Sequence, residues 1–289
     1  MDGILKIFLT GNRLTRLPNV ACVESTLNEL EIDNNAGMSD FSAAGSQHVI
    51  VELRVQITSH PGDDIVGLIP AGRRLHFRCF APENVTHFDL SFIALTQDTV
   101  EQIGIRDCSL ETAPDFSIFP PGNSIDQITL DGNNIRYLPA HTFRTLTSLL
   151  RVYIHRNDLF SLDSRLFASQ TFLITHIYLN HNPSLDLADR NLFSSMTSLQ
   201  LLALNTNNLS SIPDVTAACR SGSLRKLILG YNNINSMESA VALQGCSSLT
   251  EVAITQGLAE GAVTPDFSSI LNSTSSHSTR ASSPRRPSS

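Results

Sequence analysis

The sequence predicts an α/β solenoid whose concave face carries about eleven short parallel strands. An apolar residue recurs every 23 to 26 residues along the chain, and a second apolar residue follows it two positions later. This alternation is typical of a strand with one buried face, and its recurrence predicts stacked units rather than separate domains. The first column is Ile7, Leu30, Leu53, Phe77, Ile103, Ile128, Val152, Ile177, Leu202, Leu227 and Val252. The second is Leu9, Ile32, Val55, Cys79, Ile105, Leu130, Ile154, Leu179, Leu204, Leu229 and Ile254.

The clearest copies of the repeat are Ile125 to Ile135 and Leu199 to Leu209, and both fit the pattern L-x-x-L-x-L-x-x-N-x-L. The chain therefore resembles the leucine-rich-repeat family. We number the positions of each repeat by this pattern, so that the two columns above are positions four and six. The resemblance implies a horseshoe with irregular or short helical segments on its convex side.

Position nine is an asparagine in seven repeats. Because its amide both donates and accepts hydrogen bonds, it can satisfy the backbone of the turn that leaves each strand. We predict a structural asparagine ladder formed by Asn12, Asn35, Asn133, Asn157, Asn182, Asn207 and Asn232. Repeats three to five carry Thr58, Pro82 and Cys108 at this position instead.

The segments that return from one strand to the next carry a further signature. Leu138-Pro139 is followed by Phe143, and Phe167 and Phe193 occupy matching places. This L-P-x-x-x-F pattern resembles the subclass common in extracellular and cell-surface members of the family. We expect the three phenylalanines to stack as a buried spine beneath the convex side.

The predicted domain organisation is one solenoid followed by a tail. The solenoid spans 1–271 and is irregular over 58–100, where the apolar run from Val85 to Leu95 indicates either an added strand or a bulged return segment. Residues 272–289 are rich in serine and arginine and contain no large apolar residue, which predicts disorder.

Composition narrows the functional classes. The net charge of -7 disfavours nucleic acid as a partner. The sequence contains no run of about 18 apolar residues, the length that would predict membrane insertion. The N-terminus shows no signal-peptide pattern. Only Met1-Asp2-Gly3 precedes the first core residue, Ile4. Because an end repeat needs a cap, we expect the chain to be a piece of a longer protein, with fast hydrogen exchange in repeats one and two.

The five cysteines are far apart in sequence and form no C-x-x-C pair. Each fits a repeat position, which predicts that all are buried, unpaired small hydrophobes. In this interpretation Cys79 fills a core sixth position, and Cys108 replaces a ladder asparagine. The cysteines are Cys22, Cys79, Cys108, Cys219 and Cys246.

No motif for catalysis, phosphate binding or a metal is present, so we predict a non-enzymatic protein without a cofactor. His155, His176 and His181 lack the carboxylate or cysteine that would complete a zinc site. Three Asn-x-Ser/Thr patterns, at Asn84, Asn208 and Asn272, match the glycosylation acceptor but are also expected by chance.

The outward positions of repeats seven and eight form the candidate partner-binding patch. Tyrosine and arginine are enriched at binding hot spots, and Tyr153 and Tyr178 are expected side by side on adjacent strands. The patch consists of Arg151, Tyr153, His155, Arg156, His176, Tyr178, Asn180 and His181. An ordinary solvated face remains the alternative interpretation.

Three functions stay open at this point. The first, implied mainly by the family resemblance, is recognition of a protein or peptide partner on the concave face. The second is the sensor portion of a larger receptor or receptor kinase. The third is a structural or adhesion array with no selective ligand. The subclass resemblance favours an extracellular or cell-surface location, whereas the sequence itself leaves the compartment unknown.

Overall fold

Eleven parallel strands form one sheet in the computed structural model, which describes residues 5–16, 27–32, 35, 50–57, 72–79, 85–91, 93, 100–187, 190–234, 243 and 245–254. The strands neighbour one another in chain order, as stacking of successive repeats requires. They are β1 Leu5–Phe8, β2 Leu27–Glu31, β3 Ile50–Ile57, β4 Gly72–Cys79, β5 Gln102–Arg106, β6 Gln127–Thr129, β8 Arg151–Tyr153, β10 His176–Tyr178, β11 Leu201–Ala203, β12 Lys226–Ile228 and β13 Glu251–Ala253. The predicted solenoid of about eleven parallel strands is confirmed.

The hydrophobic core lies behind the sheet and is built from positions four and six. In the central repeats these side chains are completely buried, for example Ile128, Val152, Ile177 and Leu202. In the first and last repeats the equivalent residues are only partly buried. Positions three, five and seven lie on the opposite face, because side chains alternate along a strand. We call this opposite face, which is the predicted concave face, the open face.

The return segments are irregular or form short helices. They include the 3-10 helices Phe116–Ile118 and Arg190–Phe193, the α-helix Thr216–Arg220, and a second parallel sheet of β7 Tyr137–Leu138 and β9 Ser161–Leu162. Part of the predicted phenylalanine spine is present: Phe143 and Phe167 stack with ring centroids 6.0 Å apart, and Phe116 lies 5.9 Å from Phe143. Phe193 is also fully buried.

The predicted register of repeat four was wrong by two residues. Leu53 pairs with Leu75, and Leu75 pairs in turn with Ile103, so Leu75 occupies position four. Phe77 therefore lies at position six, and Cys79 lies at position eight rather than in the sixth-position column. The regular spacing gave the wrong register because Leu75 follows Leu53 sooner than the average repeat length predicts, and the return segment from Leu75 to Ile103 is correspondingly long. Both columns are apolar in either register, so periodicity alone could not distinguish them.

The prediction that the cysteines are unpaired was also wrong. Cys79 is joined to Cys108, and Cys219 is joined to Cys246. All four are buried, as predicted, but each disulfide links one repeat to the next. Sequence separations of 29 and 27 residues hid the pairing, because one turn of the solenoid returns the chain to the neighbouring position. Cys22 lies outside the described residues.

The asparagines at position nine bind the backbone of two repeats at once. The Asn182 amide donates to the Leu179 carbonyl, at position six of its own repeat, at 2.8 Å. It also donates to the Ile154 carbonyl, at position six of the preceding repeat, at 3.1 Å. Its oxygen accepts from the Leu159 N–H of the preceding repeat at 3.1 Å. The equivalent pair of position-six carbonyls, one in the same repeat and one in the preceding repeat, accepts from Asn35, Asn133, Asn157, Asn207 and Asn232. Asn12, in the first repeat, donates to Leu9 of its own repeat.

Among the described residues, position eight has a left-handed backbone in repeats one and five to ten, where a turn follows the strand. Its φ is +58° at His181, +57° at Arg156 and +71° at Gly132. In repeats three and four, which have no ladder asparagine, β3 and β4 instead continue through position eight and reach eight residues. In repeat five Cys108 stands at position nine, and its disulfide to Cys79 connects the two repeats where the asparagine would have done so.

One predicted region is described in part and another lies outside the described residues. Within 58–100, Val85, Phe88, Leu90 and Ile93 are buried, and the described residues between 85 and 93 form no extended strand, which favours a return segment. The proposed tail, 272–289, lies outside the described residues. None of the helices in the described ranges is long and apolar enough to cross a membrane.

Candidate functional site

The open face divides into two parts of different chemistry. Positions three, five and seven of repeats two to six, which we call the charged half, carry glutamates, aspartates, arginines and one histidine. The same positions of repeats seven to ten, which we call the tyrosine half, carry five apolar or aromatic residues, Tyr153, Tyr178, Leu201, Ala203 and Ile228, and seven others: Arg151, His155, His176, Asn180, Asn205, Lys226 and Gly230. The two halves meet at repeat seven.

In the charged half, ion pairs run from strand to strand. Glu29 accepts from Lys6 at 2.7 Å and lies 3.6 Å from Arg54, whose guanidinium contacts Glu52 at 2.7 Å. Glu52 also lies 3.6 Å from Arg74. Burial opposes ionisation of Glu52, but the hydrogen bond and charge of Arg54 hold its pKa below the ordinary value. These side chains therefore neutralise one another's charges, although the buried Nε of Arg74 has no hydrogen-bond partner within the described part of the chain.

His76 is enclosed between its neighbours on the open face. Its ring lies over Gly104 of the next strand, where an added Cβ would meet Nδ1 at 2.5 Å. Burial lowers the pKa of His76 to about 4, against which the nearby Glu52 acts only partly. His76 is therefore neutral at pH 7, and Gly104 provides the space that the ring requires.

A second group of ion pairs connects the charged half to repeat seven. Asp107 accepts from both Arg78 and Arg156, each at 2.9 Å, and so joins repeats four, five and seven. Gly132 lies between Asp107 and Arg156 at position eight of repeat six. An added Cβ there would collide with the Asp107 carboxylate, so the glycine lets this carboxylate reach across an intervening repeat. Arg156, as part of the predicted patch, is thus already paired.

Two aspartates of repeat six hold two further members of the predicted patch. Asp131 accepts from Arg106 at 2.9 Å, and its other oxygen lies 3.6 Å from Nε2 of His155. Asp126 accepts from Arg151 at 2.8 Å. Burial lowers the pKa of His155, and the charge of Asp131 only partly offsets this effect. Three of the eight predicted residues therefore face acidic groups of the protein itself.

Tyr153 and Tyr178 form a stacked pair at the centre of the open face. They are direct register partners on β8 and β10, with ring centroids 4.7 Å apart and ring planes inclined by 11°. Both remain partly exposed. The neighbours at position five are small and buried: Thr129 on one side and Ala203 on the other. The two rings therefore stand as a ridge between two low areas, which we call the tyrosine ridge.

The remaining predicted residues surround this ridge. His176 lies at position three beside it, its Nδ1 lies 2.9 Å from the Thr175 hydroxyl, and burial lowers its pKa. Asn180 is partly buried at position seven, and His181 is exposed at position eight. No group of three or more His, Cys, Asp or Glu side chains within the described ranges could hold a metal ion.

Sequence reasoning missed the acidic partners of the patch and the apolar surface next to it. Asp107, Asp126 and Asp131 were not assigned to the site, although they precede Arg156, Arg151 and His155 by one or two repeats. Leu201 and Ile228 extend the open face beyond the ridge and are partly exposed. Reading the residues of positions two, three, five, seven and eight across strands, rather than along one repeat, would have identified both groups.

Comparison with known proteins agrees with the fold. No protein-family model and no curated protein matches the sequence. Among solved structures, the chain is similar to a chain in the Toll–Spatzle complex of Drosophila, with a TM-score of 0.54 and 18% identity over 89% of this chain. This chain spans only 38% of the length of that one. An internalin from Listeria monocytogenes aligns over 89% of this chain and 82% of its own, with 13% identity and a TM-score of 0.48.

The fold is that of a leucine-rich-repeat solenoid. At these levels of identity the likeness concerns the fold and leaves the site to be argued from its residues.

Proposed function

We propose that the protein is a non-enzymatic recognition module that binds a protein or peptide partner on the open face, centred on the tyrosine ridge. One observation carries the proposal: two stacked, partly exposed tyrosines stand above small neighbours in the middle of a continuous sheet. The chain is similar to a chain of the Toll–Spatzle complex, and this likeness supports a general role in binding a protein partner.

The two halves of the open face differ in what they can still offer a ligand. Charged side chains that are paired within the protein must lose those partners, or desolvate them, before they gain affinity from a ligand. Tyrosines lose little conformational entropy on binding and present both an apolar ring and a hydroxyl. Leu201 and Ile228 add apolar area on the side of the ridge away from the ion pairs of the charged half. The tyrosine half is therefore the better contact surface.

The disulfides support an oxidising compartment. Structural disulfides persist in secreted, cell-surface and periplasmic proteins and are rare in reducing cytosol. Two of them, each between consecutive repeats, are present in this chain. We therefore propose a location outside the cytosol, in agreement with the subclass that the L-P-x-x-x-F segments resemble.

A displayed library of random peptides tests the proposal while the natural partner is unidentified. Peptides are selected on the oxidised full chain and then measured against a Tyr153→Ala/Tyr178→Ala variant. Loss of the two rings should weaken binding at least about tenfold, or about 1.4 kcal/mol. The matched control is Lys6→Ala, which removes an exposed side chain from the same face in repeat one, where it is paired with Glu29.

The outcome separates the candidate functions. Peptides that lose affinity for the double variant but not for the control support recognition at the ridge. Selected peptides that bind both variants equally would remove the ridge from the site. Failure to select any peptide would favour the structural array.

A further inference from the structure

We infer that Asn208 is an N-glycosylation site on the rim of repeat nine. The sequence Asn208-Leu209-Ser210 is one of three acceptor patterns in the chain, and it is the one whose acceptor asparagine lies in the described residues. Asn84 and Asn272 fall outside them. The inference does not depend on what the open face binds.

The local structure presents the Asn208 side chain to solvent. Asn208 stands at position ten, directly after the ladder residue Asn207, and its backbone N–H donates to the Leu185 carbonyl at 3.0 Å. This bond fixes the main chain while the residue itself remains exposed. No hydrogen bond within the described part of the chain engages its amide group. Asn207, by contrast, is buried and uses its amide in the ladder.

The other two residues of the pattern keep the acceptor on a rigid turn. Leu209 is fully buried in the core, and the hydroxyl of Ser210 donates to the Asp186 carboxylate at 3.2 Å. The core leucine and the asparagine ladder fix the main chain on both sides of Asn208. A glycan attached to Asn208 would therefore extend from the surface without displacing any buried side chain.

The disulfides give independent support for the chemistry. Glycan transfer to asparagine takes place in the secretory pathway, the same kind of compartment in which disulfides form. In that reaction the side-chain nitrogen of Asn208 would form a bond to C1 of an oligosaccharide carried on a lipid diphosphate. The bond between C1 and the diphosphate oxygen breaks, the diphosphate leaves with the electron pair, and the amide loses one proton.

The repeat supplies a matched control at an equivalent turn. Asn134 is the position-ten residue of repeat six, is exposed, and donates its N–H to the Leu110 carbonyl at 2.9 Å. It is not in an acceptor pattern, because Arg136 stands where a serine or threonine is needed. Arg136→Ser creates the pattern in the same structural setting.

The test is to express the full chain behind a cleavable signal peptide in eukaryotic secretory cells, and to translate it in parallel with microsomes, which requires no folding. Peptide mapping after enzymatic deglycosylation should report conversion of Asn208 to aspartate in both samples. Asn208→Gln and Ser210→Ala should abolish the gel shift due to this site, Ser210→Thr should retain it, and Arg136→Ser should add a second modified peptide at Asn134.

Three results would overturn the inference. Absence of modification at Asn208 in both samples, whether or not Arg136→Ser gains a glycan, would show that the site is not used. Modification in microsomes but not in the secreted protein would show that the folded chain does not accommodate the glycan. A gel shift that persists in full in the Asn208→Gln variant would assign the glycan to another asparagine.

Discussion

The two halves of the open face lie on one continuous sheet, yet they use their side chains in opposite ways. In the charged half, residues such as Glu29, Glu52 and Asp107 are each held by two basic neighbours, so their charges are neutralised within the protein. In the tyrosine half, Tyr153 and Tyr178 stack on each other and leave their outer surface exposed. The difference indicates that one stretch of the sheet uses more of its side chains for contacts between repeats, whereas the other leaves an aromatic pair partly exposed.

The halves also differ in what joins their repeats. Asparagines at position nine link consecutive repeats from five to ten, and Cys219–Cys246 adds a disulfide between repeats nine and ten. Repeats four and five are instead joined by the disulfide Cys79–Cys108, and repeats three and four pair through longer strands. The tyrosine ridge therefore rests on the regular part of the ladder. Variants placed in each half can show whether the two are independent in stability and in binding.

The largest effect should come from the ladder beneath the ridge. Asn182→Ala leaves the Leu159 N–H and the carbonyls of Ile154 and Leu179 without their side-chain partner. Since each unpaired buried group costs about 1–3 kcal/mol, we expect a loss of about 3–4 kcal/mol in unfolding free energy. Asn180→Ala, on the open face two residues earlier, should cost less than about 0.5 kcal/mol. Equal thermal shifts for the two variants would contradict the assigned register.

Removing the disulfide of the charged half should act locally. Cys79→Ser with Cys108→Ser should lower stability by about 2–4 kcal/mol, because the pair replaces the ladder bonds between repeats four and five. Hydrogen exchange should accelerate in β4 and β5 but stay slow in β8 to β11. A thiol reagent should leave all four paired cysteines of the native protein unlabelled; labelling of Cys79 or Cys108 would show that the crosslink is absent.

The ion pairs that cross from one half to the other depend on Gly132. Gly132→Ala places a methyl group against the Asp107 carboxylate at a backbone φ of +71°, and we expect a loss of about 2 kcal/mol. Gly11→Ala is the matched control, because Gly11 also occupies position eight with φ +73° and has open space around it. The control should lose only about 1 kcal/mol. Similar losses would show that the Asp107 contact contributes nothing.

Acidification should destabilise the charged half first. Because burial lowers the pKa of His76 from 6.5 to about 4, folded His76 stays neutral while the unfolded chain takes up a proton below about pH 6.5. Neutral His76 makes its full contribution to the free energy of unfolding at pH 7. This contribution is lost as the pH falls from about 6.5 towards 4, and the loss reaches about 1–2 kcal/mol at pH 5. His155 and His176 act in the same direction.

The matched variant isolates this histidine. His76→Asn should flatten part of the dependence of the unfolding free energy on pH between 7 and 5, measured by chemical denaturation at each pH. An unchanged slope would show that His76 titrates normally.

Much of the fold follows from residue patterns, whereas the contacts across the sheet do not. The two apolar columns predict the strands and the core, and the positions of Tyr153 and Tyr178 predict their adjacency. The register of repeat four was mispredicted because Leu75, Phe77 and Cys79 alternate with polar residues in a way that permits two registers. The disulfides were not predicted because the paired cysteines are 29 and 27 residues apart in sequence, and only the stacking of one solenoid turn on the next brings them together.

The candidate site was harder to predict than the fold for a related reason. Arg151, His155 and Arg156 look like free binding groups in sequence, since nothing nearby along the chain neutralises them. Their partners, Asp126, Asp131 and Asp107, lie one or two repeats earlier and become neighbours only when the repeats stack. A tyrosine pair, which needs no charge partner, was easier to place.

The most direct test of a division of labour between the two halves is an alanine scan of both against the same selected peptide ligands. Tyr178→Ala and Tyr153→Ala should each weaken binding by about 1–2 kcal/mol or more, because they remove area from the centre of the contact. Glu31→Ala and Gln56→Ala, in the charged half, should leave affinity unchanged within about 0.5 kcal/mol. We predict a profile with its maximum at repeats seven and eight. A maximum over repeats two to four, or a flat profile, would contradict recognition at the tyrosine ridge.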